Sequence, residues 1–135
     1  MNYIESEVDT TLIDNSINHI KKNADQTHSL IRELTDSFFL SPSNILDPTD
    51  LANVDKHHDP DYWKKISTIK DCQKPILIIL DKNYHSWELT STDDLQLLIS
   101  ESTGFPFWIT TPERNLLIYL DDHDCVHIAH KKKKP

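Results

Sequence analysis

Glycine is almost absent from this sequence, since Gly104 is the single example in 135 residues. Loops that wrap phosphate groups need several positions where the backbone takes positive φ or packs closely against a ligand, and glycine permits both. The sequence contains no GxGxxG or GxxxxGK(S/T) pattern, and it also lacks GxSxG, CxxC and HExxH. These absences argue against common nucleotide-binding, hydrolase, zinc-ribbon and metalloprotease activities. We therefore expect a protein that is not an enzyme and that uses no cofactor.

Cysteines and long apolar runs are also scarce. Cys72 and Cys125 are the only cysteines, and two thiols without an export signal are more often reduced than joined. The longest apolar runs, Pro75–Leu80 and Leu116–Leu120, have the length of strands and fall well short of the roughly 18 residues of a membrane helix. The opening residues MNYIESEVD carry acids where a secretory signal needs a basic start. We expect a cytoplasmic protein that does not contact a membrane.

Acidic residues dominate the charge. The chain has 22 acids and 14 bases, which gives a net charge of −8, and without the terminal lysines Lys131–Lys134 the net charge is −12. A field of that sign repels nucleic acid and anionic membranes, and it speeds encounter with a basic partner. Solubility alone is the alternative explanation for the acidity. We expect no direct binding of nucleic acid, and we expect residues 131–135 to form a basic disordered tail.

The N-terminal half has the apolar spacing of helices. Asp9 or Thr10 is a candidate cap for a first helix, and a second helix is predicted from about Gln26 to Phe38, so that the two form a helical pair or one broken helix. From Leu40 to Pro60, proline and Asx residues predict a long surface connection. A short third helix is expected after Pro60.

Strand patterns occupy most of the C-terminal half. Pro75–Leu80 reads as a central strand covered on both faces, and the alternation over 84–89 predicts its hairpin partner. A helix over 93–102 follows, with Gly104 near its C-cap. Three short strands should end the chain: Phe105–Thr110, Leu116–Leu120 and Cys125–Ala129. The prediction is one α+β domain over 1–130, in which N-terminal helices pack on a mainly antiparallel sheet of about five strands that ends in a three-strand meander.

Two acidic segments are the candidate partner-binding surface. Asp121, Asp122 and Asp124 belong to the DDHD turn between the last two predicted strands. Such a turn is explained by turn propensity alone, and it also concentrates carboxylates that pair with arginine or lysine of a partner. The second segment spans 47–63, and its candidate residues are Asp55, Asp59, Asp61 and Trp63. Loops often carry binding residues, and tryptophan is common at interfaces.

Eight histidines raise the possibility of a metal site. The sequence HHD at 57–59 and the tract 121–127 both contain ligands suited to zinc or manganese. Adjacent strand residues point to opposite faces, however, so Cys125 and His127 are the one well-spaced pair on the last strand. We predict no functional metal.

The segment GFPFWITTPERNLLIYLDDHDCVHIA, residues 104–129, resembles the C-terminal part of small bacterial proteins found among the immunity proteins of polymorphic toxin systems. In size, acidity and lack of a catalytic motif, the whole chain is also similar to the immunity proteins of contact-dependent growth-inhibition systems. The resemblance implies a heterodimer in which this chain binds the toxin domain of a cognate effector and blocks its active site or substrate path. Many such toxins are nucleases with basic clefts, so we expect the toxin to be a nuclease. A non-catalytic adaptor or phage-derived regulator, and a small enzyme without a recognisable motif, are the alternative hypotheses.

Overall fold

The computed structural model describes residues 3–132, and within them seven strands form one antiparallel sheet in the order β1-β4-β3-β5-β6-β7-β2. The strands are β1 His19–Lys21, β2 Asn53–His58, β3 Ile76–Asp81, β4 Asn83–Leu89, β5 Phe107–Thr110, β6 Leu117–Leu120 and β7 Cys125–His130. Strands β5, β6 and β7 are consecutive neighbours, which confirms the predicted C-terminal meander. The predicted α+β class is correct.

Helices cover both faces of the sheet. They are α1 Tyr3–Asp14, α2 Ala24–Phe38 and α3 Thr92–Ser100, together with 3₁₀ helices at Pro48–Asp50 and Tyr62–Thr68. Helices α1 and α3 and the 3₁₀ helix 62–68 pack on one face, which we call the first face, and the apolar side chains buried there form the first core. Helix α2 and the segment 39–51 pack on the opposite, second face, where the buried side chains form the second core. The central strand β3 is therefore buried from both sides, as its continuous aliphatic run predicts.

Helix α2 has clear sequence signals at its start and along its buried side. The Asn23 side chain accepts a hydrogen bond from the Gln26 N–H, and the Gln26 side chain accepts one from the Asn23 N–H. This capping box satisfies two donors that would otherwise lack partners. Leu30, Ile31 and Leu34 then face the second core, where each fully buried aliphatic side chain contributes about 1.5–3 kcal/mol.

The prediction of about five strands was wrong, because β1 and β2 were not recognised. Strand β1 has only three residues. Strand β2 has the sequence NVDKHH, with all six side chains exposed, so it lacks the apolar alternation by which a half-buried strand is recognised. It lies at the sheet edge and pairs along its whole length with β7. The expected surface connection over 40–60 therefore contains an edge strand.

Two N-terminal helices are present as expected, but they neither pair with each other nor form one broken helix. Helix α1 begins at Tyr3 and ends at Asp14, so Asp9 lies inside the helix and does not cap it. The Asp9 side chain instead accepts hydrogen bonds from the Trp87 indole N–H at 2.9 Å and from Lys21 at 2.8 Å. Strand β1 separates the two helices, which pack on opposite faces of the sheet.

Helix α3 begins where the sequence predicts and ends earlier. The Ser91 side chain accepts a hydrogen bond from the Asp94 N–H, but the C-cap is Glu101. Gly104 has a φ of +99° and follows in the connection to β5. The third predicted helix is present as the 3₁₀ helix 62–68.

Among the described residues, no helix has the length and apolar character needed to cross a bilayer.

The predicted basic tail, residues 131–135, is only partly described, because residues 133–135 lie outside the described part. Within that part, the Lys132 N–H donates to the Ser37 carbonyl oxygen at 2.9 Å, which ties the start of the tail to α2.

Candidate functional site

A pocket of about 460 Å³ opens on the first face of the sheet, beside the turn that joins β6 to β7. Four chain segments form it: the first residues of α1, the segment 59–63 after β2, the segment from the end of α3 to β5, and the segment 120–126, which contains the turn 121–124. Its volume lies within the roughly 300–1,000 Å³ typical of ligand sites. We call it the acidic pocket, because four aspartates line it: Asp59, Asp121, Asp122 and Asp124.

One backbone hydrogen bond joins the two acidic segments predicted from the sequence. The Asp59 N–H donates to the Asp124 carbonyl oxygen at 2.8 Å. It extends the β2–β7 pairing, in which His58 lies opposite Cys125, by one step beyond the strands. The loop after β2 and the DDHD turn therefore form one continuous rim.

The floor and walls of the acidic pocket are apolar. Leu120, Val126 and Phe107 belong to the first core and form part of its lining. Phe105, which contacts Phe107 edge to face with ring centroids 6.2 Å apart, also lines the pocket. Among the described residues that line it, none is basic. The pocket therefore combines an apolar interior with an acidic rim.

Asp121 holds the turn together. Its side chain accepts hydrogen bonds from the backbone N–H groups of His123 at 2.8 Å and Cys125 at 3.0 Å, and it lies 2.9 Å from Nε2 of His127. Burial raises the pKa of Asp121, but the hydrogen bonds from His127, Cys125 and His123 outweigh it, so the pKa lies below its ordinary value. Asp121 therefore supports the shape of the rim.

Asp59 has a similar internal role. Its side chain accepts hydrogen bonds from Lys65 at 2.7 Å and from the Asp61 N–H at 3.1 Å. The hydrogen bond from Lys65 is the main reason that the pKa of Asp59 is lowered. The negative charge of Asp59 is thus already matched by a cation of the same chain.

Asp122 and Asp124 are the rim carboxylates that face solvent. The Asp122 side chain is 69% exposed, and its carboxylate lies 3.6 Å from His123 Nε2. Asp124 is exposed as well, and its backbone φ of 61° is left-handed, a conformation that Asp and Asn adopt more readily than most residues. These two side chains are the ones best placed to meet a ligand.

Trp63, a candidate partner-binding residue, lies at the acidic pocket. Its side chain is half-buried, lines the pocket and packs against the first core. Lys64 Nζ lies 5.4 Å from the centroid of the Trp63 ring, a distance at which a cation and an aromatic face attract each other. The ring therefore already serves as a cation-binding surface within the chain.

Two predicted partner-binding residues do not line the pocket. Asp55 lies within β2, where its carboxylate is 2.8 Å from His130 Nε2. Asp61 precedes the 3₁₀ helix 62–68 and lies 3.5 Å from Lys64. Both side chains are exposed, Asp55 on the edge strand β2 and Asp61 in the loop that follows it. Neither lines the acidic pocket.

Sequence reasoning missed the contribution of α1 and α3. Tyr3, Ile4 and Ile99 line the pocket, although about a hundred residues separate α1 from the segment after α3. The Glu7 carboxylate accepts hydrogen bonds from the Thr103 N–H at 2.9 Å and from its hydroxyl. No local pattern signals such a distant contact.

Histidines of both tracts lie on the paired strands β2 and β7, although His57 and His58 were expected in a loop. Consecutive residues His57 and His58 alternate along β2, and Cys125 and His127 alternate with their neighbours along β7. Over residues 3–132, no group of three or more His, Cys, Asp and Glu side chains is arranged to hold a metal ion.

A second cavity, of about 390 Å³, lies beside α2 on the second face. Its rim carries both signs of charge in matched pairs: Lys22 lies 3.4 Å from Glu88, and Arg114 lies 2.7 Å from Glu33. This cavity lacks the single-sign rim that distinguishes the acidic pocket.

No protein-family model matches the chain, and neither a curated protein nor a solved structure matches it.

Proposed function

We propose that this protein is a cytoplasmic immunity protein that binds a basic toxin domain through the acidic pocket and thereby neutralises it. The observation that carries the proposal is the union of two acidic segments around an apolar pocket that has no basic residue among its described lining. The resemblance of residues 104–129 to immunity proteins supports the same function.

Charge supports association with a basic partner. The net charge of −8 gives the whole molecule a negative field, and complementary fields raise association rates more than they raise affinity. Asp122 and Asp124 then offer carboxylates to arginine or lysine, and charge-assisted hydrogen bonds are stronger than neutral ones. A toxin that acts on nucleic acid has a basic substrate cleft of this complementary kind.

The apolar interior supports lasting contact. Surface ion pairs alone contribute little, typically no more than about 1 kcal/mol each. A partner side chain that enters an aromatic and aliphatic pocket displaces water and adds apolar burial to that attraction, and interfaces take most of their energy from such central positions. The acidic pocket provides both features within one site.

The state of the four carboxylates favours binding over catalysis. Asp59 and Asp121 are engaged by internal hydrogen bonds, while Asp122 and Asp124 are exposed to solvent. Acid–base catalysis by carboxylates commonly uses desolvated groups placed against a nucleophile or a second titratable group. The arrangement of these four carboxylates therefore suits binding better than acid–base catalysis.

The proposal is tested by neutralisation. Tagged protein is used to capture partners from host lysate at low and at high salt, and the captured protein is expressed with and without this chain. We expect a basic partner that is held less tightly as salt rises, that arrests growth alone, and that is harmless in the presence of this chain. A captured partner whose expression is harmless in both cases would replace the immunity role with that of an adaptor.

A further inference from the structure

We propose that the acidic pocket receives one arginine side chain of the partner, with its aliphatic stem on the apolar floor and its guanidinium at the rim formed by Asp122, Asp124 and Trp63. This inference rests on the proposed function for the source of the arginine. The chemistry of the pocket is independently testable with a small probe.

The pocket matches a side chain that is apolar along its length and charged at its end. The interior is formed by groups such as Leu120, Val126 and Phe105, which favour methylene groups over water. The solvent-facing carboxylates are confined to the rim. Arginine and lysine bury their stems in this way while they keep the charged end close to water.

Arginine fits this rim better than lysine does. Its planar guanidinium presents donors in several directions, so it is able to engage two carboxylates together, and it is less strongly hydrated than an ammonium group. Asp122 and Asp124 supply two exposed carboxylates within three residues of one turn. Neither is held by the internal hydrogen bonds that engage Asp121.

Trp63 adds a preference for a cation with a flat face. The indole already has Lys64 Nζ 5.4 Å from its ring centroid, and it also contributes to the pocket wall. Guanidinium groups stack on aromatic faces as well as attracting them electrostatically. A bound arginine would therefore interact with the ring and with the carboxylates together.

The test is an NMR titration of the isolated protein with N-acetyl-arginine methylamide at low salt. The comparison probes are the corresponding citrulline compound, which has nearly the same shape without the charge, and the lysine compound. We expect the arginine probe to shift the Trp63 indole N–H and the resonances of Leu120 and Val126, and to bind about fivefold more tightly than citrulline, as an exposed ion pair allows. Equal affinity for arginine and citrulline, or shifts confined to other surfaces, would overturn the inference.

Variants give a second measurement. The double variant Asp122→Asn with Asp124→Asn, which we call the rim variant, keeps residues that tolerate the turn geometry, and it should lose the preference for arginine over citrulline. Asp14→Asn with Asp36→Asn, called the control variant, removes the same charge from exposed helix positions elsewhere and should keep the preference. Ile99→Trp enlarges a half-buried side chain of the wall and should weaken binding of both probes. Retention of the preference in the rim variant would contradict the inference.

The two proposals fail in different ways. If the arginine probe binds in the pocket but no macromolecular partner is captured from lysate, the arginine inference is supported and the proposed immunity function is contradicted. Loss of a captured partner in the rim variant, with no binding of the arginine probe, would support the proposed function and overturn the arginine inference.

Discussion

The Asp59 backbone N–H donates a hydrogen bond to the carbonyl oxygen of Asp124 at 2.8 Å. This contact brings together two acidic segments that are more than sixty residues apart in sequence. The four side-chain carboxylates of this rim differ in their surroundings. Asp59 and Asp121 accept hydrogen bonds from groups of the same chain, whereas Asp122 and Asp124 face solvent. Structural and partner-binding roles should therefore separate when individual aspartates are replaced.

Replacement of Asp121 should reduce stability. Asp121→Ala removes the acceptor of two backbone N–H groups and of His127, a side chain that is only 9% exposed. Loss of a partner for a buried polar group costs about 1–3 kcal/mol in the free energy of unfolding. Urea denaturation measures this loss, and Asp122→Ala is the matched control because an exposed substitution usually stays within about 0.5 kcal/mol. Equal losses in the two variants would contradict the assigned roles.

The strands of the C-terminal half could be predicted because their residues carry the signal locally. Residues 75–80 form a continuous apolar run, and β4 alternates Trp87 and Leu89 with Ser86 and Glu88. Strand β2 gave no such signal, because an edge strand with both faces exposed buries nothing. Its pairing with β7 depends on backbone hydrogen bonds, to which any non-proline sequence contributes.

The candidate site was predictable only in part for a related reason. Asp121, Asp122 and Asp124 stand out as a cluster in the sequence. Asp59, in the loop after β2, and Trp63, in the 3₁₀ helix 62–68, stand out in the second acidic segment. Nothing local relates them to Ile4 or Ile99, which reach the pocket through the packing of α1 and α3 on the sheet. Nor does sequence distinguish an engaged carboxylate from an exposed one, because that depends on the donors placed around it.

Acid should destabilise the fold in part through Asp121. Its pKa in the folded protein lies below the ordinary value of 3.8, so the ionised carboxylate stabilises the fold above that value, and the stabilisation is lost as the pH falls through the folded pKa. The free energy of unfolding should therefore fall between about pH 5 and pH 2, and it should fall less in Asp121→Asn. Asp122→Asn should keep the wild-type slope. Parallel curves for wild type and Asp121→Asn, measured by urea denaturation at each pH, would refute this account.

Asp9 should be required for the attachment of α1. It accepts a hydrogen bond from the indole N–H of Trp87, a side chain with no exposed surface, and it forms an ion pair with Lys21 at 2.8 Å. Asp9→Ala leaves the buried N–H without its acceptor, which should lower the free energy of unfolding by about 1–3 kcal/mol. Asp9→Asn retains an oxygen acceptor and should lose less. The exposed residue Asp14 provides the control, and an Asp14→Ala loss as large as that of Asp9→Ala would count against this role.

The two cysteines should differ in reactivity. Cys72 is buried, and burial raises the pKa of its thiol to about 11, so little reactive thiolate is present near neutral pH. Cys125 is partly exposed. With a thiol-reactive chromophore at pH 8, one thiol per folded chain should react rapidly and the second only after unfolding. Cys125→Ser should abolish the rapid phase and Cys72→Ser should preserve it; the reverse pattern would be inconsistent with the structure.

The most direct test of the acidic pocket as the binding surface is a quantitative capture experiment with three baits: wild type, the rim variant and the control variant. The baits are compared in the same host lysate at low salt, and retained protein is measured by mass spectrometry. The account predicts that wild type and the control variant retain the same basic partner in similar amounts, while the rim variant loses most of it. Equal retention by all three baits would contradict a role for the acidic pocket, and equal loss from the two variants would mean that net charge, and not this site, holds the partner.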